Sequence, residues 1–302
     1  MPDNHLLTQD ARPLVNAYLA ARPPEISEHT FTNLFVWRHG RPVFYREIGD
    51  SLVFLVQDAA GGTLLFGPPV GTLTIREAAT ALGEKFAGVV RLPIGLRDQL
   101  REAGLPAQAD RANADYVYRV EDLAELAGRR YAKKRNRIKQ CLASHRCEYE
   151  SLTENLIPEC IALQEEWCRL RNCPQEPGLC HEFTAIGEAF TLFREFSLIG
   201  GAIRVDGMLR AFAIAEPLRP GTAVWHFEKA MPDIPGLGQL ITNWFARHGL
   251  AGFEYVNREQ DLGIPGLRQA KESYFPDHLV EKLTTLPPDS PPQFTPNRSF
   301  CI

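Results

Sequence analysis

The sequence predicts an α+β protein with two tandem domains, each a mixed, mostly antiparallel sheet flanked by helices and the two joined by a basic helix. Short β-rich runs alternate with helical patterns along the chain. Both halves share one order of elements, namely helix, three strands, helix, strand, helix and strand. The period of about 150 residues is too long for a solenoid repeat and is typical of a duplicated domain.

The first half opens with a helical pattern at residues 27–38, for which Ser27 is the predicted N-cap. Three β-rich runs at 42–48, 51–57 and 63–66 follow, separated by Gly-Asp and Gly-Gly turns. Thr74 and Glu77 have the spacing of a capping box, which predicts a helix from Thr74 through Phe86. A strand at 89–92, a helix at 96–103 and a strand at 116–119 complete this half.

The second half repeats the order. Helices are predicted at 156–170 and 181–193, and strands at 197–205, 208–216 and 223–229, the first two joined by an Asp206-Gly207 hairpin signal. A helix at 236–248, a strand at 253–256, a helix at 264–274 and a strand at 279–283 follow. We therefore predict domains at 1–120 and 151–286, a connector at 121–150 and a proline-rich tail at 287–302.

Composition excludes some functions. The 302 residues are 44% hydrophobic and 23% charged, and the net charge of −4 argues against a protein that coats DNA. No run approaches the roughly 18 apolar residues that span a bilayer, and the first residues have no secretory signal pattern. We expect a cytoplasmic protein without a membrane span.

The seven cysteines form no Cys-x-x-Cys pair, although four of them and His181 fall within a short span. Cys160 and Cys168 lie in an amphipathic helical pattern, where free cysteine commonly packs as a small hydrophobe. We therefore predict no metal site, and the odd count does not indicate a disulfide framework.

The connector contains the basic stretch "RRYAKKRNRIKQ", which begins at Arg129. At 100° per residue, Tyr131, Ile138 and Leu142 form the predicted buried stripe, and Lys134 and Arg135 flank it. Arg129, Lys133 and Asn136 are predicted to face solvent. Lys134 and Arg135 are candidates for binding an anionic co-substrate, with a buried carboxylate as the alternative partner.

The segment "WHFEKAMPDIPGLGQLI" places Gly236 and Gly238 at the start of a helix, with Gln239 directly after them. Glycines there let backbone N–H groups approach a negatively charged ligand. We take these three residues as candidates for co-substrate binding. The alternative is that the glycines only allow a tight turn before a packed helix.

Glu228 and His226 lie two residues apart near the end of a predicted strand, so they are expected to share a face. A carboxylate beside an imidazole is a candidate general base pair. The alternative for Glu228 is a surface ion pair.

The segment "YVNREQDLGIPGLRQAKESY" crowds polar residues at a strand-to-helix loop, where ligands often bind in open α/β sheets. Asn257, Arg258, Asp261 and Lys271 are the candidate substrate-binding residues. Tyr274 lies on the same helix face as Lys271 and could donate a proton to a leaving group. Alternatively, Asp261 caps the helix and Tyr274 packs on the sheet.

These last two segments, together with "YAKKRNRIKQ", resemble a bacterial family of unknown function related to the C-terminal domain of phosphatidylglycerol lysyltransferase. The resemblance covers about residues 25–285 and is most specific in "YVNREQDLGIPGLRQAKESYFP". It implies paired GNAT-like domains similar to Fem-type aminoacyl-tRNA-dependent transferases. In that fold, the loop before the glycines binds a pyrophosphate through Gln or Arg, a position that Asp233 occupies here.

Two functions follow as hypotheses. The first is a transferase that moves an acyl or aminoacyl group from acyl-CoA or aminoacyl-tRNA to an amine or hydroxyl of a small molecule or peptide. Glu228 would accept the proton of the nucleophile, backbone N–H groups would stabilise the oxyanion, and Tyr274 would protonate the leaving group. The second is a non-catalytic module that binds a nucleotide, a tRNA end or a peptide, which the Asp233 departure favours.

Overall fold

The computed structural model describes residues 4–171 and 177–286. The strands are β1 (His5–Leu6), β2 (Phe44–Ile48), β3 (Ser51–Gln57), β4 (Thr63–Phe66), β5 (Phe86–Val90), β6 (Leu92–Pro93), β7 (Gln108–Ala109), β8 (Asp115–Arg119), β9 (Cys147–Ser151), β10 (Ile199–Val205), β11 (Met208–Arg219), β12 (Thr222–Ala230), β13 (Tyr255–Asn257), β14 (His278–Val280) and β15 (Lys282–Thr284). The helices are α1 (Arg12–Ala21), α2 (Phe31–Val36), α3 (Ile75–Leu82), α4 (Arg97–Glu102), α5 (Val120–Glu125), α6 (Ala132–Ser144), α7 (Ile157–Arg171), α8 (Pro177–Thr191), α9 (Leu237–His248) and α10 (Pro265–Glu272).

The first compact unit contains described residues 4–115, 260–268 and 279–286. Its main sheet has the order β1-β2-β3-β4-β5, and a small sheet has the order β6-β15-β7. Strands β2, β3 and β4 form an antiparallel meander, whereas β5 pairs parallel to β4 after the crossover through α3. Apolar residues of β3, α3 and β5 form a buried core, so hydrophobic burial holds this crossover against the sheet.

The predicted capping box starts α3. The Thr74 hydroxyl accepts a hydrogen bond from the Glu77 N–H at 3.3 Å, and the Glu77 carboxylate accepts one from the Thr74 N–H at 2.8 Å. The helix ends at Leu82, before the predicted Phe86, because Gly83 takes a positive φ of 70°. This capping box confirms the predicted start of the helix. Its two side chains accept hydrogen bonds from backbone N–H groups of the first turn.

The N-cap predicted at Ser27 is wrong. Helix α2 begins at Phe31, and Thr30 caps it by accepting a 3.0 Å hydrogen bond from the Asn33 N–H. Ser27 instead donates its hydroxyl to Asp115 at 3.0 Å, while its N–H donates to the same carboxylate at 2.9 Å. The nearby buried carboxylate provides a partner that local sequence does not reveal.

A buried ionic network lies inside the first unit. The Lys282 ammonium is fully buried and contacts Glu28 at 2.6 Å and Asp115 at 2.7 Å. Arg91 contacts Glu28 at 3.2 Å, and the Gln260 amide donates to Asp115 at 2.7 Å. Burial raises the pKa of Glu28, although the attraction of Lys282 opposes that shift. Such a network keeps its geometry because removal of one partner leaves a buried charge uncompensated.

The second unit contains described residues 116–171, 177–259 and 269–278. Its seven-stranded sheet has the order β14-β8-β13-β12-β11-β10-β9. Strands β10, β11 and β12 form an antiparallel meander, and β13 pairs parallel to β12 after α9. The edge strands of this sheet are β14 and β9.

The connector contains a strand that the sequence did not predict. Strand β9 pairs antiparallel with β10 from Cys147–Val205 to Ser151–Gly201. Its sequence, "CEYES", carries two glutamates, as is common on an edge strand. This polar pattern fits the end of a helix as well as a strand. The predicted connector at 121–150 is therefore not one helical element.

The fold is α+β with mixed sheets, as predicted. The compact units are not the contiguous ranges 1–120, 121–150 and 151–286 that the sequence predicted. Helix α5 belongs to the second unit, where the Asn243 amide donates to the carbonyl oxygens of Leu123 and Ala124 at 2.9 and 2.8 Å. Residues 260–268 and 279–286 return to the first unit, which element order alone does not indicate. The predicted tail at 287–302 lies outside the described residues.

The cysteines differ in part from the expectation. Cys141, Cys147 and Cys160 are free thiols, and burial raises the pKa of each. Cys168 and Cys180 are disulfide-bonded, which the odd count did not indicate. Within residues 4–171 and 177–286, no cluster of His, Cys, Asp or Glu could hold a metal ion. In the same residues, every helix is too short or too polar to cross a bilayer.

Candidate functional site

The candidate site lies in the second unit around Glu228, near the end of β12. Its carboxylate accepts a 2.9 Å hydrogen bond from Arg258, and the Thr242 hydroxyl lies 3.2 Å from the same carboxylate oxygen. The side chain keeps 24% of its surface exposed. Burial raises the pKa of Glu228, and the attraction of Arg258 works against that shift. A carboxylate with a raised pKa that solvent can still reach suits proton transfer.

Arg258 follows β13, which runs parallel to β12. Its guanidinium carbon lies 4.4 Å from the centroid of the Trp225 ring and 5.4 Å from that of Tyr274. The aromatic faces and the Glu228 carboxylate therefore fix the planar cation in one orientation.

Tyr274 lies beyond the end of α10 and is 7% exposed. Burial raises the pKa of its phenol to about 12, against the attraction of Arg258, while the Glu228 charge raises it further and a hydrogen bond with Thr242 lowers it. Its backbone carbonyl accepts a 2.9 Å hydrogen bond from Tyr131 on the preceding basic stretch. The phenol is therefore neutral at ordinary pH, and Glu228 and Arg258 both act on its pKa.

Lys134 of α6 also reaches this site. Its ammonium donates a 2.6 Å hydrogen bond to Ser273 and lies 3.9 Å from the centroid of the Tyr274 ring. Burial lowers the pKa of Lys134, and repulsion by Arg258 lowers it further, whereas Glu228 raises it. A carboxylate was the alternative partner predicted for Lys134, and the charge of Glu228 acts on its pKa.

The stripe predicted for α6 is partly wrong. Tyr131, Ile138 and Cys141 are buried, but Leu142 is 43% exposed. The buried face follows residues 131, 134, 138 and 141, so Lys134 lies within it and not beside it. Arg129, Lys133 and Asn136 are exposed, as predicted.

Arg135 has a different role from the one predicted. Its guanidinium donates to the carbonyl oxygen of Leu126 and, at 2.7 Å, to that of Gly128. Both residues have positive φ, 50° and 79° respectively. Arg135 therefore stabilises the turn between α5 and α6, and neither an anion nor a carboxylate is needed to explain it.

His226 does not pair with Glu228. A register shift between Ile214 and Ala215 makes His226 an additional residue in β12. Its ring nitrogens contact Glu216 at 2.9 Å and Glu259 at 2.8 Å. The predicted general base pair fails because the shift places Trp225, and not His226, on the face of Glu228.

Gly236 is explained by packing. It takes a φ of 92° at the N-cap of α9, and a Cβ there would collide with the carbonyl oxygen of Arg137. At Gly238, a Cβ would meet no atom within 4 Å. Gln239 follows in the first turn of α9 and is half-buried. Asp233, in the loop before them, is exposed. These contacts favour the tight-turn alternative for Gly236.

The remaining substrate-binding candidates separate into two groups. In the second unit, Asn257 is fully buried and accepts a 2.8 Å hydrogen bond from the Glu259 N–H, and the Lys271 ammonium contacts the Arg258 carbonyl oxygen. Asp261 belongs to the first unit, where Arg268 and Arg111 bind its buried carboxylate at 2.8 and 2.9 Å. Asp261 also accepts the Gly263 N–H at 2.8 Å, which supports its alternative as a structural residue before α10.

Three residues of the site were not predicted from the sequence, namely Thr242, Trp225 and Ser273. Thr242 is buried on the sheet-facing side of α9, and a hydroxyl on an otherwise apolar helix face is the signal that could have identified it. The site thus combines one accessible carboxylate, a hydroxyl, a phenol and two cations. Such a set can accept a proton, pass it on and stabilise a developing negative charge.

The chain is similar to several known proteins. The family model described as phosphatidylglycerol lysyltransferase, C-terminal, matches residues 20–284. A conserved protein of unknown function from Bacteroides thetaiotaomicron is 32% identical with a TM-score of 0.84, over 92% of this chain and 97% of that one. L-PGS from Bacillus licheniformis has 14% identity and a TM-score of 0.65, over 98% and 94% of the two chains. FemX has 9% identity and a TM-score of 0.57, over 94% and 97%. No curated protein matches the chain.

Proposed function

The chain belongs to the family of phosphatidylglycerol lysyltransferase C-terminal domains, and from this membership we propose that it is an aminoacyltransferase. Its donor is an aminoacyl-tRNA, and its acceptor is an amine or hydroxyl of a small molecule or peptide. The observation that carries the proposal is the Glu228 carboxylate, which Arg258 and Thr242 contact at 2.9 and 3.2 Å, together with Lys134 over the ring of Tyr274.

The chemistry follows from these groups. The acceptor loses a proton to Glu228 and attacks the ester carbonyl carbon of the aminoacyl group. Arg258 and Lys134 stabilise the negative charge that forms on the carbonyl oxygen. The bond between that carbon and the ribose oxygen then breaks, and Tyr274 protonates the leaving oxygen. Glu228 then gives up the proton that it accepted and the Tyr274 phenolate takes one up, so no proton is gained or lost overall.

Two features favour the ester donor over acyl-CoA. The positive φ and close packing of Gly236 against Arg137 account for that glycine without a pyrophosphate. The exposed Asp233 occupies the position where the resembling fold has Gln or Arg, and its carboxylate repels phosphate. The basic helix α6 lies in the second unit and supplies Lys134 to the site.

The test measures label transfer. The purified full chain is incubated with tRNA charged with a mixture of radiolabelled amino acids and with extracts of bacterial lipids, peptides and small amines. We expect a labelled product whose rate of formation falls about 100-fold or more in Glu228→Gln and in Tyr274→Phe. Glu148→Gln and Tyr255→Phe change exposed or half-buried residues of the same unit and serve as matched controls.

Thermal melting separates the alternatives. A ligand that binds only the folded chain raises its melting temperature. We expect charged tRNA to raise it and acetyl-CoA to leave it unchanged. Stabilisation by tRNA without any transfer would identify a binding module, and stabilisation by acetyl-CoA alone would overturn the aminoacyl donor.

A further inference from the structure

His226 lies between two carboxylates in the second unit. Its side chain is only 2% exposed, and those of Glu216 and Glu259 are 11% and 15% exposed. The three side chains come from β12, from β11 and from the residues after β13. Glu259 is the neighbour in sequence of Arg258, the cation that binds Glu228.

We infer that His226 is a positioning residue whose doubly protonated ring bridges Glu216 and Glu259 and thereby holds the turn that directs Arg258 toward Glu228. The catalytic value of this arrangement rests on the proposed function. The arrangement itself is independent of any substrate.

A ring that carries both protons satisfies both contacts with ionised glutamates. Each ring nitrogen faces a carboxylate oxygen at hydrogen-bonding distance, and an ionised carboxylate only accepts. A neutral imidazole has one N–H, so its other nitrogen would direct a lone pair at a carboxylate. Burial by itself lowers the pKa of His226, but the hydrogen bonds and charges of the two glutamates outweigh it and raise the pKa to about 9.

The bridge acts on Arg258 through the backbone of Glu259. Glu259 has a φ of 57°, a left-handed conformation that costs energy for a non-glycine residue. Its N–H donates to Asn257 at 2.8 Å and its carbonyl accepts from the Tyr116 N–H at 3.1 Å. The Lys271 ammonium contacts the Arg258 carbonyl oxygen.

These contacts hold the backbone of the turn, while His226 holds the side-chain carboxylate of Glu259. Around the bridge, the charged neighbours are thus Glu216, Glu259, Arg258 and Lys271. Loss of the imidazolium would leave two buried carboxylates without their shared cation and would favour rearrangement of the turn.

The first experiment tests the protonation state. The full chain is labelled with ¹⁵N-histidine, and the His226 signals are assigned by their absence in His226→Gln. We expect nitrogen shifts at pH 7 that show protons on both ring nitrogens. A ring with one unprotonated nitrogen at pH 7 would overturn the inference, including the case in which a glutamate carries the proton instead.

The second experiment tests the effect on Arg258. Phenylglyoxal modifies accessible guanidinium groups, and mass spectrometry gives the rate at each arginine. In His226→Gln we expect modification of Arg258 to accelerate about tenfold, the change that loss of a charged hydrogen bond produces. His145→Gln removes another histidine–carboxylate contact, with Asp206 at 2.8 Å, and should leave the Arg258 rate unchanged.

An unchanged Arg258 rate in folded His226→Gln would overturn the positioning role. If that variant does not fold, Glu216→Gln provides the same comparison, because it weakens one contact and retains the ring. No substrate enters either measurement. Failure of the inference is therefore distinguishable from failure of the proposed aminoacyl transfer.

Discussion

Arg258 donates a 2.9 Å hydrogen bond to Glu228, and the two residues come from neighbouring parallel strands of one sheet. Glu228 lies near the end of β12, and Arg258 directly follows β13. Strand β13 pairs only with the first residues of β12, with Asn257 opposite Val224, so Arg258 leaves the ladder beside β12 and its long side chain reaches Glu228. The parallel pairing is possible because α9 carries the chain from β12 to β13.

The first prediction concerns the shape of the Arg258 cation. Arg258→Lys retains the charge but loses the planar group that stacks on Trp225 and binds Glu228. We expect transfer from charged tRNA to fall about 100-fold, since the variant removes a positioned donor to the developing oxyanion. The measurement is single-turnover transfer at saturating charged tRNA.

Arg119→Lys is the matched control. Arg119 is about half exposed, stacks on Tyr255 at 5.1 Å and binds Asp277 at 3.2 Å, so it makes the same types of contact elsewhere in the unit. Its variant should retain the wild-type rate. Equal rates for Arg258→Lys and the wild type would contradict a role for the planar group.

Local patterns predicted much of the fold. Strands β3 and β4 have the predicted bounds, and the capping box at Thr74 identified the start of α3. These elements depend on interactions among residues close in sequence, such as alternation along a strand and the N–H groups of a first helical turn. The Ser27 cap failed because its partner, Asp115, lies 88 residues away.

The site was predicted in part for the same reason. Glu228, Arg258, Tyr274 and Lys134 meet in one unit, as their positions after predicted strands and on a helix edge indicated. The pairing of His226 with Glu228 failed because a register shift in β12 changes which residues share a face. Such a shift depends on pairing with β11, which alternation within one strand does not specify.

The second prediction concerns Gly236. Gly236→Ala should destabilise the chain by about 2–4 kcal/mol, because it adds a clash with the Arg137 carbonyl to the strain of a positive φ. Gly238→Ala adds its methyl group in open space within α9 and should stabilise by about 0.5 kcal/mol. Urea unfolding of both variants measures the difference. Similar free energies of unfolding for the two would contradict the packing explanation of Gly236.

The third prediction concerns Lys282. Lys282→Met removes the cation between Glu28 and Asp115 and should lower the free energy of unfolding by about 3–5 kcal/mol. The loss should shrink as pH falls, because protonation of Glu28 removes one of the two buried negative charges that Lys282 contacts. Urea unfolding across a range of pH tests this, with the exposed Lys139→Met as control. A loss that does not depend on pH would indicate that packing, and not charge, accounts for the effect.

The fourth prediction follows from His226 as a buried cation. Its pKa of about 9 in the folded chain lies above the ordinary histidine value of 6.5. The folded state therefore binds the proton more tightly, and this contribution is complete below pH 6.5 and disappears as pH rises through 9. The difference between the two pKa values corresponds to about 3 kcal/mol in the free energy of unfolding.

The destabilisation of His226→Gln relative to the wild type should accordingly be largest near pH 6 and shrink by about that amount by pH 9.5. Chemical unfolding at intervals between these values gives the curve. His145→Gln, at a more exposed histidine, should stay within about 0.5 kcal/mol of the wild type throughout. A His226→Gln penalty that is constant over this range would mean that the ring is held neutral, with the bridging protons on the glutamates.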